Sequence, residues 1–205
     1  MRRAQTERAH LCDALAAAGP GAPTLCEGWT AYDLAAHVWL RENDLIGGLG
    51  YAIPALADRT ERRAERLKRE RGFAGLVDAI RTGPPRFSLF RLPAADEAAN
   101  AAEFLIHGLD VRRPNGLPEP ERPAAFDDWA WSQLRLAKLM MRGLDVGLVL
   151  EWDGRPDRSL RVTPGARTVT VIGAPVELML YAFGRRAAAD VRLVGLPEAL
   201  AALER

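Results

Sequence analysis

Cysteine, histidine and unbalanced charge are all scarce in this chain, and each scarcity excludes something. The two cysteines, Cys12 and Cys26, are too few for a disulfide scaffold. They are also not spaced as C-x-x-C, which argues against a redox pair or a zinc knuckle. Lys plus Arg number 28 against 27 Asp plus Glu, so the basic excess of a dedicated nucleic-acid or anionic-membrane binder is missing. No apolar run reaches transmembrane length. The opening residues, Met1-Arg2-Arg3-Ala4-Gln5-Thr6-Glu7, carry no apolar segment of the kind a secretory signal needs. Neither a Ser-His-Asp arrangement nor a phosphate-binding glycine loop is evident. These absences lead to the expectation of a soluble cytoplasmic protein with reduced thiols and small-molecule partners, neither nucleic acid nor membrane.

What is present is a hydrophobic fraction of 48% over 205 residues, enough to build a packed core in one large domain or two small ones. The most informative stretch is Asp96–Asp110. Its polar residues Asp96, Asn100, Glu103, His107 and Asp110 fall four, three, four and three apart, the repeat of one helix face. Nearly everything between them is apolar or small. A surface helix shows an apolar stripe on a polar background; here the pattern is inverted. The helix is expected to be buried, with its polar stripe satisfied inside the protein. Glu103 and His107, spaced i and i+4, reach toward one point.

A first helix spans about Thr6–Ala18 and stops at Gly19-Pro20-Gly21. Thr30 and Asp33 read as a capping box opening a second helix over residues 30–46. That helix sets His37 among apolar neighbours. A buried histidine is most often a satisfied core group, but Glu103 and His107 lack a third partner and His37 is the remaining buried histidine. Residues 59–71 form a charge run, read as a solvated helix face with Glu65 placed to pair with Arg69. A short helix follows over Phe73–Ile80. A loop carrying Arg86, Phe87, Phe90 and Arg91 leads into the striped helix and is either one wall of a site or packing. Arg112 and Arg113, just past that helix, either complement its dipole or hold an anionic ligand. A long amphipathic helix over 124–142 completes a set of four, suited to an antiparallel bundle.

From Gly143 the period changes. Strands over 146–152, 159–162, 168–172 and 191–194, with helices over 174–183 and 197–203, make a small α+β unit. The expected division is residues 1–143 for a metal-binding helical bundle and 144–205 for the α+β domain. The fold class is α+β, mostly α.

His37 from one helix, with Glu103 and His107 from another, is how bundles build metal sites. Two imidazoles and a carboxylate suit zinc with an open fourth position; nickel or ferrous iron fit the same donors.

Three stretches, Leu25–His37, Ala102–Arg113 and Thr170–Arg185, resemble the mycothiol-dependent maleylpyruvate isomerase family of the DinB-like metal-binding bundles. The Leu-Cys-Glu-Gly-Trp loop and Asp-Val-Arg-Arg point to a branch distinct from the isomerase itself. The resemblance covers nearly the whole chain. It implies a four-helix bundle binding a divalent metal, usually zinc, through His37, Glu103 and His107, and a C-terminal α+β domain. It also implies mycothiol as thiol cosubstrate and a catalytic part for Arg185 of the Phe-Gly-Arg motif, whose bottom-up reading is a partner of a helix C-terminus. A metal-dependent isomerase or thiol transferase acting on a small electrophile follows. The reading from a different class is a non-catalytic metal or small-ligand binder of the same fold.

Overall fold

The computed structural model describes residues 2–44, 49–51, 53–85, 88, 91–141, 143 and 146–203. It divides into two compact units, Met1–Pro120 and Glu121–Arg205.

The first unit is built from four helices: α1 (Arg3–Ala18), α2 (Ala31–Asn43), α3 (Ala57–Thr82) and α4 (Pro93–Arg112). In α1 the buried residues Ala4, Glu7, Arg8, Leu11, Cys12, Ala14 and Leu15 recur at three- and four-residue steps, so one face packs inward. That face lies on α4, and α2 lies on α3. Leu11, Leu15, Leu34, Leu40, Leu76, Ile80 and Phe104 form the centre of the core.

α2 starts where the sequence says it should. The Thr30 side chain accepts from the Asp33 N–H, and the Asp33 carboxylate accepts from the Thr30 N–H, a reciprocal capping box. Lys68 adds an ion pair to Asp33 at 2.6 Å. Burial on its own raises the Asp33 carboxyl, but the hydrogen bonds from Lys68 and Thr30 outweigh it and hold the group below its ordinary value. A carboxyl lowered on folding stabilises the folded state above its unfolded pKa, and that contribution fades as the pH falls through the carboxylate range. Asp33→Ala is therefore expected to cost about 1 kcal/mol at neutral pH. The gap from wild type should narrow in denaturation curves recorded at decreasing pH.

α3 joins two segments that read separately in the sequence. The charge run and the Phe73–Ile80 helix are continuous in one element, broken at Gly72, whose φ of 67° and ψ of 167° are non-helical. α3 buries Thr60, Leu67, Leu76, Val77 and Ile80. Glu65 pairs with Lys68, three residues on, and not with Arg69; Arg66 pairs with Glu70 at 2.6 Å. α3 is thus the fourth helix of the bundle, a place the sequence reading gave to residues 124–142.

That later segment belongs to the second unit. It is α5 (Ala125–Gln133), a 3-10 turn over Leu134–Leu136, and the short α6 (Ala137–Met140). Phe126, Ala130 and Leu134 are buried, and α5 packs on α7 (Pro175–Ala182) of the same unit. Leu136, Leu139 and Met140, expected in the apolar face of one long helix, are exposed. This packing sets the division at Pro120 and not near Gly143.

The sheet has the order β2-β1-β3-β4, from β1 (Gly147–Trp152), β2 (Arg155–Thr163), β3 (Thr168–Gly173) and β4 (Val191–Gly195). β1 and β2 form an antiparallel hairpin across Asp153-Gly154, where Gly154 has φ 74°. β1 pairs in parallel with β3, with Leu148 opposite Val169 and Leu150 opposite Val171, all four buried. α7 links β3 to its antiparallel partner β4, and α8 (Pro197–Leu203) closes the unit against β3 and β4. No helix among the described residues is long and apolar enough to cross a membrane.

α4 carries the inverted stripe as expected. Asp96, Asn100, His107 and Asp110 are buried, as are Phe104, Leu105, Ile106 and Leu109. The first two polar residues are satisfied by a buried ion network. Arg8 holds Glu42 with two hydrogen bonds, of 2.5 and 2.6 Å, and reaches Asp96 at 3.2 Å. The Asn100 amide donates to Asp96 at 2.8 Å and to Glu42 at 3.2 Å.

Candidate metal centre

The lower half of the stripe builds a different object. α4 presents Glu103 and His107 one turn apart, and α2 presents His37. His107 Nε2 lies 3.0 Å from Glu103 Oε1, and His37 Nε2 lies 3.3 Å from the same oxygen. The three ligand-capable atoms all fall within 4.8 Å of one another. Ligand atoms of one tetrahedral ion at about 2.1 Å stand about 3.4 Å apart. The donor set and its spacing therefore fit a single divalent ion.

His107 is fixed from behind. Its Nδ1 donates to Asp110 Oδ2 at 2.8 Å, which turns Nε2 toward Glu103. Asp110 is fully buried, and the same oxygen accepts the Cys26 thiol at 3.2 Å. Burial alone lowers the His107 pKa, but hydrogen bonds with Asp110, Cys26 and Glu103 outweigh it and raise it well above the ordinary value. Loading a metal on Nε2 therefore displaces a proton. Burial pulls Glu103 upward, and the hydrogen bonds of His107 and His37 with the charges of His107 and Arg41 hold it well below the ordinary carboxylate range. His37 is pushed below its ordinary pKa, first by burial, so it favours the neutral form that ligates.

The His37 ring is held by aromatic contacts. Trp29 lies 5.1 Å and Tyr51 4.3 Å from it between ring centroids, and His107 5.2 Å. Its Nδ1 is buried without a hydrogen-bond partner among the described residues. A cavity of about 300 Å³ shares Trp29 and Tyr51 in its lining, with Thr60, Glu61 and Glu65 among the others.

Of the residues nominated from sequence, His37, Glu103 and His107 come together. Arg112 spans two backbone carbonyls, Pro118 at 2.5 Å and His10 at 3.0 Å, and so ties α4 to α1. Arg113 pairs with Glu119 at 3.0 Å. Arg185 belongs to the second unit, at the end of α7, where its Nη1 donates to the Phe183 carbonyl at 2.7 Å. Arg86, Phe87 and Phe90 of the loop before α4 lie outside the described residues.

Two residues were missed. Arg41 Nε is 3.4 Å from Glu103 Oε1. It sits one turn beyond His37 on α2, so the i, i+4 rule that linked Glu103 to His107 could have found it. Cys26 reaches Asp110 through a loop fold. The Thr24 hydroxyl accepts from the Cys26 N–H and donates to the Trp29 carbonyl, and the Leu25 N–H donates to the Asp110 carbonyl. No periodicity encodes that approach.

No protein-family description matches the chain, and no curated protein matches it. Among solved structures, a histidine-to-alanine mutant of the mycothiol-dependent maleylpyruvate isomerase is similar over 96% of this chain and 93% of that one, with a TM-score of 0.60 and 21% identity. At that identity the likeness establishes a shared fold: α+β, mostly helical.

Proposed function

We propose that the chain is a divalent-metal-dependent enzyme that uses a low-molecular-weight thiol of the mycothiol kind in isomerase or S-transfer chemistry on a small electrophile. The observation that carries this reading is the convergence of His37 Nε2, Glu103 Oε1 and His107 Nε2 on one point from two buried helices. The likeness in fold to a mycothiol-dependent isomerase supports the thiol and the reaction class. Zinc is the ion this reading favours, because the donors are two imidazoles and a carboxylate.

A divalent ion here would supply Lewis acidity, favouring the thiolate of a thiol that reaches its open face at neutral pH. The chain's own groups do the rest. Asp110 holds the His107 ring in one orientation through Nδ1. Glu103, kept ionised by its neighbours, supplies the one negative charge among the three donors. Trp29 and Tyr51 pack on His37, which restricts its ring. Asp110, the nearest further carboxylate, is engaged on the Nδ1 edge of His107 and not beside Nε2. That arrangement weighs against a closed four-ligand site, and so against a purely structural metal.

The test is a thiol titration of the cobalt-substituted protein. A sulfur-to-cobalt charge-transfer band that saturates with thiol is expected. Cobalt bound at full stoichiometry with no spectral change under any thiol would remove the thiol from the proposal.

A further inference from the structure

The first half of α3 sorts its charges by face. Along the sequence, Glu61, Glu65 and Glu70 interrupt the arginines. On a helix of about 3.6 residues per turn they separate. Thr60, Glu61, Ala64 and Glu65 line the cavity shared with Trp29, Tyr51 and Asp33. Arg59, Arg62, Arg63 and Arg66 fall three, one and three residues apart on the opposite face. They line a hollow of about 450 Å³ together with Asp44 at the end of α2.

Two carboxylates meet this row of guanidinium groups. Arg63 Nε donates to Asp44 Oδ2 at 2.8 Å, and Arg66 Nε donates to Glu70 Oε1 at 2.6 Å. Arg59 and Arg62 are exposed and have no partner among the described residues. Their two positive charges are therefore not balanced locally. Arg59 stands i, i+3 and i, i+4 from Arg62 and Arg63, and Arg66 stands at the same spacings from the same two. Like charges at those spacings destabilise a helix. An anion among the four arginines removes that repulsion.

The shape and charge of the hollow define the anion. One guanidinium fork already satisfies a single carboxylate. Several forks around one hollow suit a group with more oxygens and more charge. A phosphate ester brings three acceptor oxygens and a charge of about −1.5 to −2, and arginine recognises it bidentately. The volume falls within the roughly 300–1,000 Å³ of small-molecule sites. A nucleic acid needs a longer basic surface. The chain has 28 Lys plus Arg against 27 Asp plus Glu, and the far side of the same helix is acidic.

We propose that Arg59, Arg62, Arg63 and Arg66 form a binding site for a small phosphate-bearing anion, a phosphate ester or a diphosphate. None of the residues lining it belongs to the three candidate metal donors, so the inference stands independently of the metal reading.

Pyrophosphate is the probe, titrated by calorimetry in buffer without added divalent ions, with citrate as a multiply charged anion lacking phosphate. Wild type should bind one pyrophosphate per chain, at least about tenfold more tightly than citrate. Arg59→Ala with Arg62→Ala should weaken pyrophosphate about 10- to 100-fold, the scale of lost charge-assisted hydrogen bonds. Both side chains are exposed, so the thermal midpoint should stay at the wild-type value. Arg59→Lys with Arg62→Lys keeps the charge without the planar forks and should recover only part of the affinity. If the alanine pair does not fold, the lysine pair decides: pyrophosphate weakened more than citrate supports the inference, and pyrophosphate unchanged overturns it. Citrate bound as tightly as pyrophosphate by wild type would overturn it, because the row would then act only through its field. Pyrophosphate affinity unchanged in the alanine pair would overturn it as well. So would binding lost in Glu103→Gln alone, which would assign the anion to the metal centre.

Discussion

Glu42→Ala is expected to destabilise the first unit by about 3–5 kcal/mol, the range seen when one partner of a buried ion pair is removed. Glu42 accepts two hydrogen bonds from Arg8 and one from Asn100, and both it and Arg8 are buried. Without it, Arg8 keeps Asp96 at 3.2 Å, the Ile80 carbonyl at 3.0 Å and the face of Phe104 at 4.5 Å. Those contacts leave the guanidinium short of a carboxylate in a site with little water to replace it. An arginine guanidinium is not deprotonated in proteins, so the charge stays on after the substitution. In thermal unfolding followed by circular dichroism, the midpoint should drop by roughly 6–20 °C. Arg8→Met with Glu42→Leu should recover only part of the loss, because the two charges leave together but Asp96, which Arg8 also pairs, keeps only the Asn100 amide. A single variant as stable as wild type would mean that water already solvates the network.

Glu103→Ala should lower divalent-metal affinity by more than about 100-fold. Substitutions that only disturb the groups behind a ligand already cost about 10- to 100-fold, and Glu103 is a donor itself and the oxygen both histidines face. The same substitution removes the carboxylate that Arg41 and both imidazoles share. Three positive or polar groups then face one another without a counter-charge. Glu103→Gln separates the effects: it keeps the shape and a carbonyl oxygen, so the bundle should stay folded while metal is still lost. Competition against a chromogenic chelator measures the affinity in each variant.

Much of this arrangement was legible in the residues because helix periodicity is a short-range rule. Asp96, Asn100, Glu103, His107 and Asp110 announce one face, and inverted polarity announces its burial. The capping box of Thr30 and Asp33 fixes the start of α2, and with it the face that carries His37. The strands of the second unit follow from alternation and turn residues. What sequence did not give is pairing at a distance. The bundle's fourth helix is the charged α3, because its sparse apolar residues Leu67, Leu76, Val77 and Ile80 suffice to bury one stripe, whereas the more apolar segment after Ala124 packs on α7 instead. The Arg8–Glu42–Asp96 network joins three helices and leaves no trace in local spacing. Cys26 reaches Asp110 only because a loop folds back on the end of α4.

The most direct test of the central claim is the metal content of the purified protein, measured by elemental analysis on wild type and on His37→Ala. His37 is the donor that links α2 to the pair on α4, and its removal leaves the Glu103–His107 contact in place. The account predicts close to one divalent ion per chain in wild type and a small fraction of that in a folded His37→Ala protein. Equal metal content in both, or a wild type that takes up no divalent ion when offered zinc, would contradict it.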